Sequence, residues 1–249
     1  MKIIERCNLF SHKRFFRFEN QMKWFFLFFS MLLLSGIAQA QKSPLSFGVK
    51  AGVSFSSSLI NNDEAKINTK FGYQFGITAD YRFSPSFLLQ SGLLLSEKGS
   101  KIYGLQSGNL VGGDGTDPRI YNFNQVYLQL PVYAVSEINL TEDFKLVASL
   151  GPYVAYGVGG KTSLTLDDSA TWGDNITEQK FDTFGDAEEH MEQLKPFDFG
   201  FGFGVHAECH KFIFGLTSEL GILNLFQDTF RDTYSYRNLN AAFTVGYKF

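Results

Sequence analysis

The sequence predicts an all-β fold, an eight-stranded antiparallel up-and-down transmembrane β-barrel. Three observations predict it. Eight stretches alternate apolar residues with small or polar ones at a period of two, the signature of a strand with two different faces. The segments joining them are short and long in turn. An export signal precedes them all.

The export signal comes first in the chain. Lys23 is followed by the apolar run Trp24–Ile37 and then by Ala38-Gln39-Ala40, a small-residue cleavage site. The run is too short and wrongly flanked for a membrane-spanning helix. Residues 1–40 therefore read as a signal peptide with an N-terminal extension, cut before Gln41, and 41–249 as the barrel domain. Residues 1–21 either are a long n-region or lie behind an unused upstream start codon at Met1, with synthesis beginning at Met22. The residue after the cut is Gln41 and not Cys, which argues against a lipoprotein anchor. The mature chain carries 16 Lys and Arg against 23 Asp and Glu, a net charge near −7. That argues against nucleic acid as a partner. Cys7 leaves with the presequence and Cys209 stays alone, so no intrachain disulfide is possible.

The strands then follow. Phe47–Ser56 sets Phe47, Val49, Ala51, Val53 and Phe55 against Gly48, Lys50, Gly52 and Ser54. Phe71–Phe83 alternates over its full length, with Phe71, Tyr73, Phe75, Ile77 and Tyr81 on one face. Phe87–Lys98, Val126–Ser136 and Phe144–Gly159 repeat the pattern less cleanly. In Phe197–Glu208, Phe197, Phe199, Phe201 and Phe203 alternate with Asp198, Gly200, Gly202 and Gly204. Phe212–Leu223 and Leu239–Phe249 complete the set. Such strands turn an apolar face to lipid and a small polar face to the lumen. Ser84–Ser86, 139–143 and His210-Lys211 are short turns. The segments 57–70, 99–125, 160–196 and 224–238 are long. Short turns on the periplasmic side and long external loops are the habit of outer-membrane barrels.

The inward face is expected to hold Lys50, Asp80, Arg82, Asp198, His206, Glu208, Glu219 and Lys248. Buried charges are normally paired, so these are expected to form an internal ion-pair network, with Lys50, Lys248 and Glu219 on neighbouring strands. An eight-stranded barrel is just wide enough for side chains to fill, which predicts a filled lumen and not an open pore. The chemistry searched for beyond this is thin. His190, His206 and His210 stand in no Ser/His/acid spacing, and a G-x-S-x-G elbow is absent. The acidic loop 160–196, with Asp167, Asp168, Asp174, Glu178, Asp182, Asp186, Glu188, Glu189 and Glu192, has no EF-hand spacing. A short helix over Asp182–Leu194 would fit there. No catalytic, cofactor or metal residues are assigned, and no enzyme activity or cofactor is expected. Cation binding by that loop stays open.

Several stretches resemble the PorT-like outer-membrane β-barrel proteins of Bacteroidota, also labelled the porin family. These are Phe47-Gly48-Val49-Lys50-Ala51-Gly52-Val53, Phe87–Gly99, Tyr127-Leu128-Gln129-Leu130-Pro131-Val132, Gly151-Pro152-Tyr153 and Val245-Gly246-Tyr247-Lys248-Phe249. The resemblance covers the mature chain and implies the barrel fold. It implies no catalytic residues, and some relatives serve in a secretion system. The expectation is a monomeric barrel of the cell outer membrane, with outer-membrane lipids around it and envelope proteins as possible partners. Its terminal Phe249 would be read by the barrel-assembly machinery. Its role would be structural or binding, through external loops. A component of a secretion machinery is the alternative, and a lipid-modifying enzyme the lesser one.

Overall fold

A computed structural model describes residues 44–61, 66–103, 119–167, 176–185, 193–227 and 235–249. The signal-peptide reading of 1–40 lies outside them. The described residues form ten strands. They are β1 (Leu45–Ile60), β2 (Lys66–Arg82), β3 (Phe87–Tyr103), β4 (Arg119–Asn139), β5 (Phe144–Gly159), β6 (Lys161–Asp167), β7 (Ile176–Asp182), β8 (Phe197–Cys209), β9 (Phe212–Gly221) and β10 (Tyr236–Lys248). Every ladder between them is antiparallel. Eight strands close in the order β1-β2-β3-β4-β5-β8-β9-β10, and β10 returns to β1 with Gly48 opposite Lys248 and Ile60 opposite Tyr236. β6 and β7 form a hairpin whose β6 pairs with the first residues of β4, Arg119–Asn122.

The eight expected strands are all present, and closure satisfies the backbone that lipid could not. The short turns lie at the end that also carries the start of β1 and the end of β10. In the β8–β9 turn His210 has φ 55°, the left-handed conformation that a two-residue hairpin requires. Phe249 is held at this end, its N–H donating to the Phe47 carbonyl.

The long segments differ from the expectation. They are not loops throughout, because the strands run on into them: β1 to Ile60, β2 from Lys66, β3 to Tyr103 and β4 from Arg119. Segment 160–196 contributes the β6–β7 hairpin. Gly160 makes this possible. It has φ +125°, and a Cβ there would collide with the Asn124 carbonyl oxygen. Only glycine lets β5 step sideways at that point, so that β6 takes up pairing with β4. The expected helix over Asp182–Leu194 is not seen at its described ends. Asp182 closes β7, and Leu194 bridges in extended form to Phe184 and Phe226; residues 186–192 lie outside the described set. The Gly-rich stretch 104–118 does too.

Polarity along the wall changes sign. Over most of its length the outward face is apolar, as at Phe75, Leu130, Leu150, Phe203 and Leu216, all exposed. On β4 the apolar outward run Val126–Ile138 covers about 30 Å of membrane normal at ordinary strand rise and tilt. Above it the order inverts. Tyr121 and Phe123 turn inward and are fully buried, whereas Asn122 and Asn124 face out. β2 and β3 invert at the same level, and β6 and β7, which pair above it, have the same apolar-inward sense at Leu164 and Phe181. On β2 this is accomplished by an irregularity between Thr69 and Gln74, where the register with β3 shifts. The inversion marks where lipid gives way to water.

Candidate functional site

The inside of the barrel is built in three storeys. The lowest lies at the end with the short turns. Lys248, the penultimate residue, sits at its centre. Its Nζ lies 2.6 Å from Glu208 Oε2, 3.2 Å from Asp80 Oδ2 and 3.8 Å from Glu137 Oε1. It thereby links β10 to β8, β2 and β4. Arg82 pairs with Glu137 at 2.8 Å, and Lys145 lies 3.6 Å from Glu208. Gln90 donates to Asp80. His206 Nε2 lies 3.4 Å from the Thr217 hydroxyl. A cavity of about 30 Å³ lies among Lys50, Asp80, Gln90, His206, Glu208 and Lys248, about the volume of one water.

The middle storey is drier. Lys98 and Glu219 form an ion pair at 3.0 Å with both side chains at most 2% exposed. Glu219 also accepts from Gln129 Nε2 at 2.6 Å, from the Tyr133 hydroxyl at 3.3 Å and from Asn240 Nδ2 at 3.3 Å. The Lys98 ammonium lies 4.4 Å from the centre of the Tyr153 ring, a desolvated cation over an aromatic face. Above this, Asp198 accepts from Tyr153 and Asn238. A chain of contacts then runs from Asn238 through Tyr127, Gln125 and Tyr236 to Ser100 and Ser58. Strand pairing and tilt bring these groups together, since they are inward positions of seven different strands.

The top storey is apolar. Ile102, Tyr121, Phe123, Leu164, Phe181, Leu194, Leu225, Phe226 and Tyr236 pack as one buried cluster. It lies on the inward face of the extramembrane sheet, beneath the segments around Leu194 and Leu225. Lys195 N–H donates to the Leu225 carbonyl, and Leu225 N–H to that of Tyr236.

The residues expected inside are inside, but their partners differ. Glu219 is taken by Lys98 and not by Lys50 or Lys248. Lys50 lies on the cavity wall within electrostatic reach of Glu219 and Asp80, without an ion pair among the described residues. Three members of the network were not in the expected set: Lys98, Glu137 and Lys145. Lys98 and Lys145 have the right parity in their strands, so the signal was present. Glu137 lies one residue past the expected end of its strand. His210 is exposed in its turn, 3.5 Å from Asp143. His190 lies outside the described residues, as do most carboxylates of the acidic loop. Of the rest, Asp182 is engaged by Lys161 at 3.0 Å and Glu178 by Lys180 at 3.3 Å.

An apolar outward band about as tall as a membrane, on a closed barrel with a polar interior, is the arrangement of an outer-membrane protein. Residues 37–227 match the family described as outer membrane protein beta-barrel domain. The chain belongs to that family. The protein is an integral barrel of the cell outer membrane. No curated protein matches the sequence. Among solved structures, the chain is similar to OprG of Pseudomonas aeruginosa (11% identity, 82% of this chain and 95% of that one, TM-score 0.40). It is also similar to Neisserial surface protein A (10%, 82% and 97%, TM-score 0.39). A third is Ail of Yersinia pestis, the attachment invasion locus protein (14%, 82% and 98%, TM-score 0.38).

Proposed function

We propose that this barrel is a binding protein that presents its extracellular segments to a partner at the cell surface, and that its interior is closed to steady ion flow. The observation that carries the binding reading is the extension of the wall beyond the apolar band. β6–β7 and the upper parts of β2, β3 and β4 form a sheet with a polar outward face and an apolar inward one, a platform that spanning the membrane does not require. The chain segments that connect strand ends there in the sequence, 62–65, 104–118, 168–175, 186–192 and 228–234, contain twelve Asp and Glu against one Arg. That charge favours a cationic partner or one bridged by divalent cations. The closed-lumen reading is supported by the buried ion pair at mid-height and the apolar cluster above it. Of the described histidines, His206 faces the Thr217 hydroxyl inside the lumen and His210 is exposed in its turn, and we read the protein as a non-enzyme that acts as a monomer. Envelope proteins are the partners sought, and the barrel-assembly machinery is the reader of Phe249.

The test is co-purification from native membranes after gentle detergent extraction. Wild type should retain a partner that is lost when 168–175 is replaced by a short Gly-Ser linker, and the loss should be mimicked by raised salt. Retention of the same partner by the replaced form would refute the loop assignment. In planar bilayers no discrete conductance is expected, and steady unitary steps would refute closure. A second reading, a component of an envelope secretion machinery of Bacteroidota, is favoured by the PorT-like stretches at Phe47–Val53 and Val245–Phe249. It would be supported by co-purification of other secretion components and by secretion defects on deletion.

A further inference from the structure

The rim of the wall just above the apolar band is not uniform. On β6 and β7 the outward lysines are answered by carboxylates, Lys161 by Asp182 and Lys180 by Glu178. On β2 and β3, among the described residues, Lys66 and Lys101 are not. Lys66 stands opposite Tyr103, and Lys101 opposite Asn68. Both lysines face outward, because Ile102 and Ser100 between them are buried inside. In such a ladder the two are diagonal neighbours, with about 7–8 Å between their backbones. Lys101 Nζ lies 5.1 Å from the centre of the Tyr103 ring, so the ring draws it towards Lys66. Neither lysine has an ion pair among the described residues. The nearest carboxylate below on β3, Glu97, lies within electrostatic reach of Lys70.

What lies beneath this pair narrows the ligand. Phe71 is 75% exposed, and Tyr73 and Phe75 follow it on the outward face. Phe55 meets Phe71 edge-on at 5.0 Å, and Tyr73 stacks with Phe75. Phe71 is about 10 Å of strand below Asn68, within reach of lysine side chains that extend along the wall. An aromatic bed for acyl chains thus lies directly under two ammonium groups that have no ion pair among the described residues, in a chain that is acidic overall. Cations at headgroup level attract anionic lipid, and an ammonium serves phosphate well as a point charge. We propose that Lys66, Lys101 and Tyr103 form a site for the phosphate of an outer-leaflet glycolipid whose acyl chains lie on Phe71, Tyr73 and Phe75.

The test uses the full barrel purified in a mild detergent and mixed with bisphosphorylated lipid A, with fully dephosphorylated lipid A, or with inorganic phosphate alone. Bound lipid is counted by native mass spectrometry. Wild type should hold bisphosphorylated lipid A at least fivefold better than the dephosphorylated form. Lys66→Gln/Lys101→Gln should erase that preference, Tyr103→Leu should weaken it, and Lys180→Gln, which removes a paired lysine from the same rim, should leave it intact. All are checked for heat-modifiable gel mobility. Should the double variant fail to fold, Lys101→Glu alone must still lower the preference at least threefold. Equal retention of both lipids by wild type would overturn the proposal. So would equal loss in Lys180→Gln, or displacement of the lipid by millimolar inorganic phosphate.

Discussion

Replacing Lys98 by Met should show how much of the barrel's stability rests on its middle storey. The Lys98–Glu219 pair is closed off from water, with N···O at 3.0 Å. Met keeps the length and the apolar stem but removes the charge, and Glu219 stays behind as a buried carboxylate. Breaking a buried pair from one side typically costs about 3–5 kcal/mol. Gln129, Tyr133 and Asn240 continue to donate to Glu219, which holds the expected cost near the lower figure. At about 1.4 kcal/mol per decade, 3 kcal/mol is roughly a 150-fold change in the unfolding equilibrium. Taking Glu219 to Gln in the same chain removes the orphaned charge, and a neutral interior of similar volume is often as stable as the ion pair. The double variant should therefore recover to within about 1 kcal/mol of wild type. The assay is reversible urea unfolding in lipid vesicles, followed by circular dichroism and by the shift between folded and unfolded mobility on gels. A Lys98→Met barrel within about 0.5 kcal/mol of wild type, or a double variant worse than the single, would refute the assigned pair.

Three further outcomes are expected. Lys248→Met should cost about 2 kcal/mol, the scale of charge-assisted hydrogen bonds, since it strips Glu208, Asp80 and Glu137 of their shared cation; urea midpoints of variant and wild type give the number. Gly160→Ala should cost about 1–3 kcal/mol in backbone strain and loosen β6 from β4, which limited proteolysis of whole vesicles would detect as new cleavage between residues 160 and 185. Phe203→Arg, at mid-height on the outward face of β8, should cost about 2–4 kcal/mol in bilayers, whereas a barrel that did not meet lipid there would lose little.

Much of this molecule was legible in its sequence. Period-two alternation found all eight wall strands, because a wall between lipid and a polar lumen sets opposite demands on successive residues. Thirteen unbroken residues from Phe71 to Phe83 could hardly be read otherwise. Parity also placed Lys50, Asp80, Asp198, His206, Glu208 and Lys248 inside. Pairing was not legible, because it depends on level as well as parity. Lys98 meets Glu219 because the tilt of the strands brings β3 and β9 to one height across the lumen, and no spacing along the chain encodes that. Glu137 likewise reaches past β3 to Arg82 and across the lumen to Lys248.

The strand ends were missed for a different reason, and β4 shows it. Its odd-numbered residues face inward along its whole length, from Tyr121 to Glu137. Within the membrane those positions include Gln125, Gln129 and Glu137, polar groups hidden from lipid. Above the membrane they are Tyr121 and Phe123, apolar groups hidden from water. The backbone does not change at Asn124; the solvent outside it does. A reader who follows one apolar face along the sequence therefore sees the pattern fail near Val126 and ends the strand there, where the wall in fact continues. The same reversal assigns a height to every residue of the wall, since the lipid boundary must pass where outward Val126 gives way to outward Asn124. Lys66 and Lys101 lie just beyond that boundary. Their position relative to phosphate-bearing headgroups is thus set by the polarity of the strands themselves.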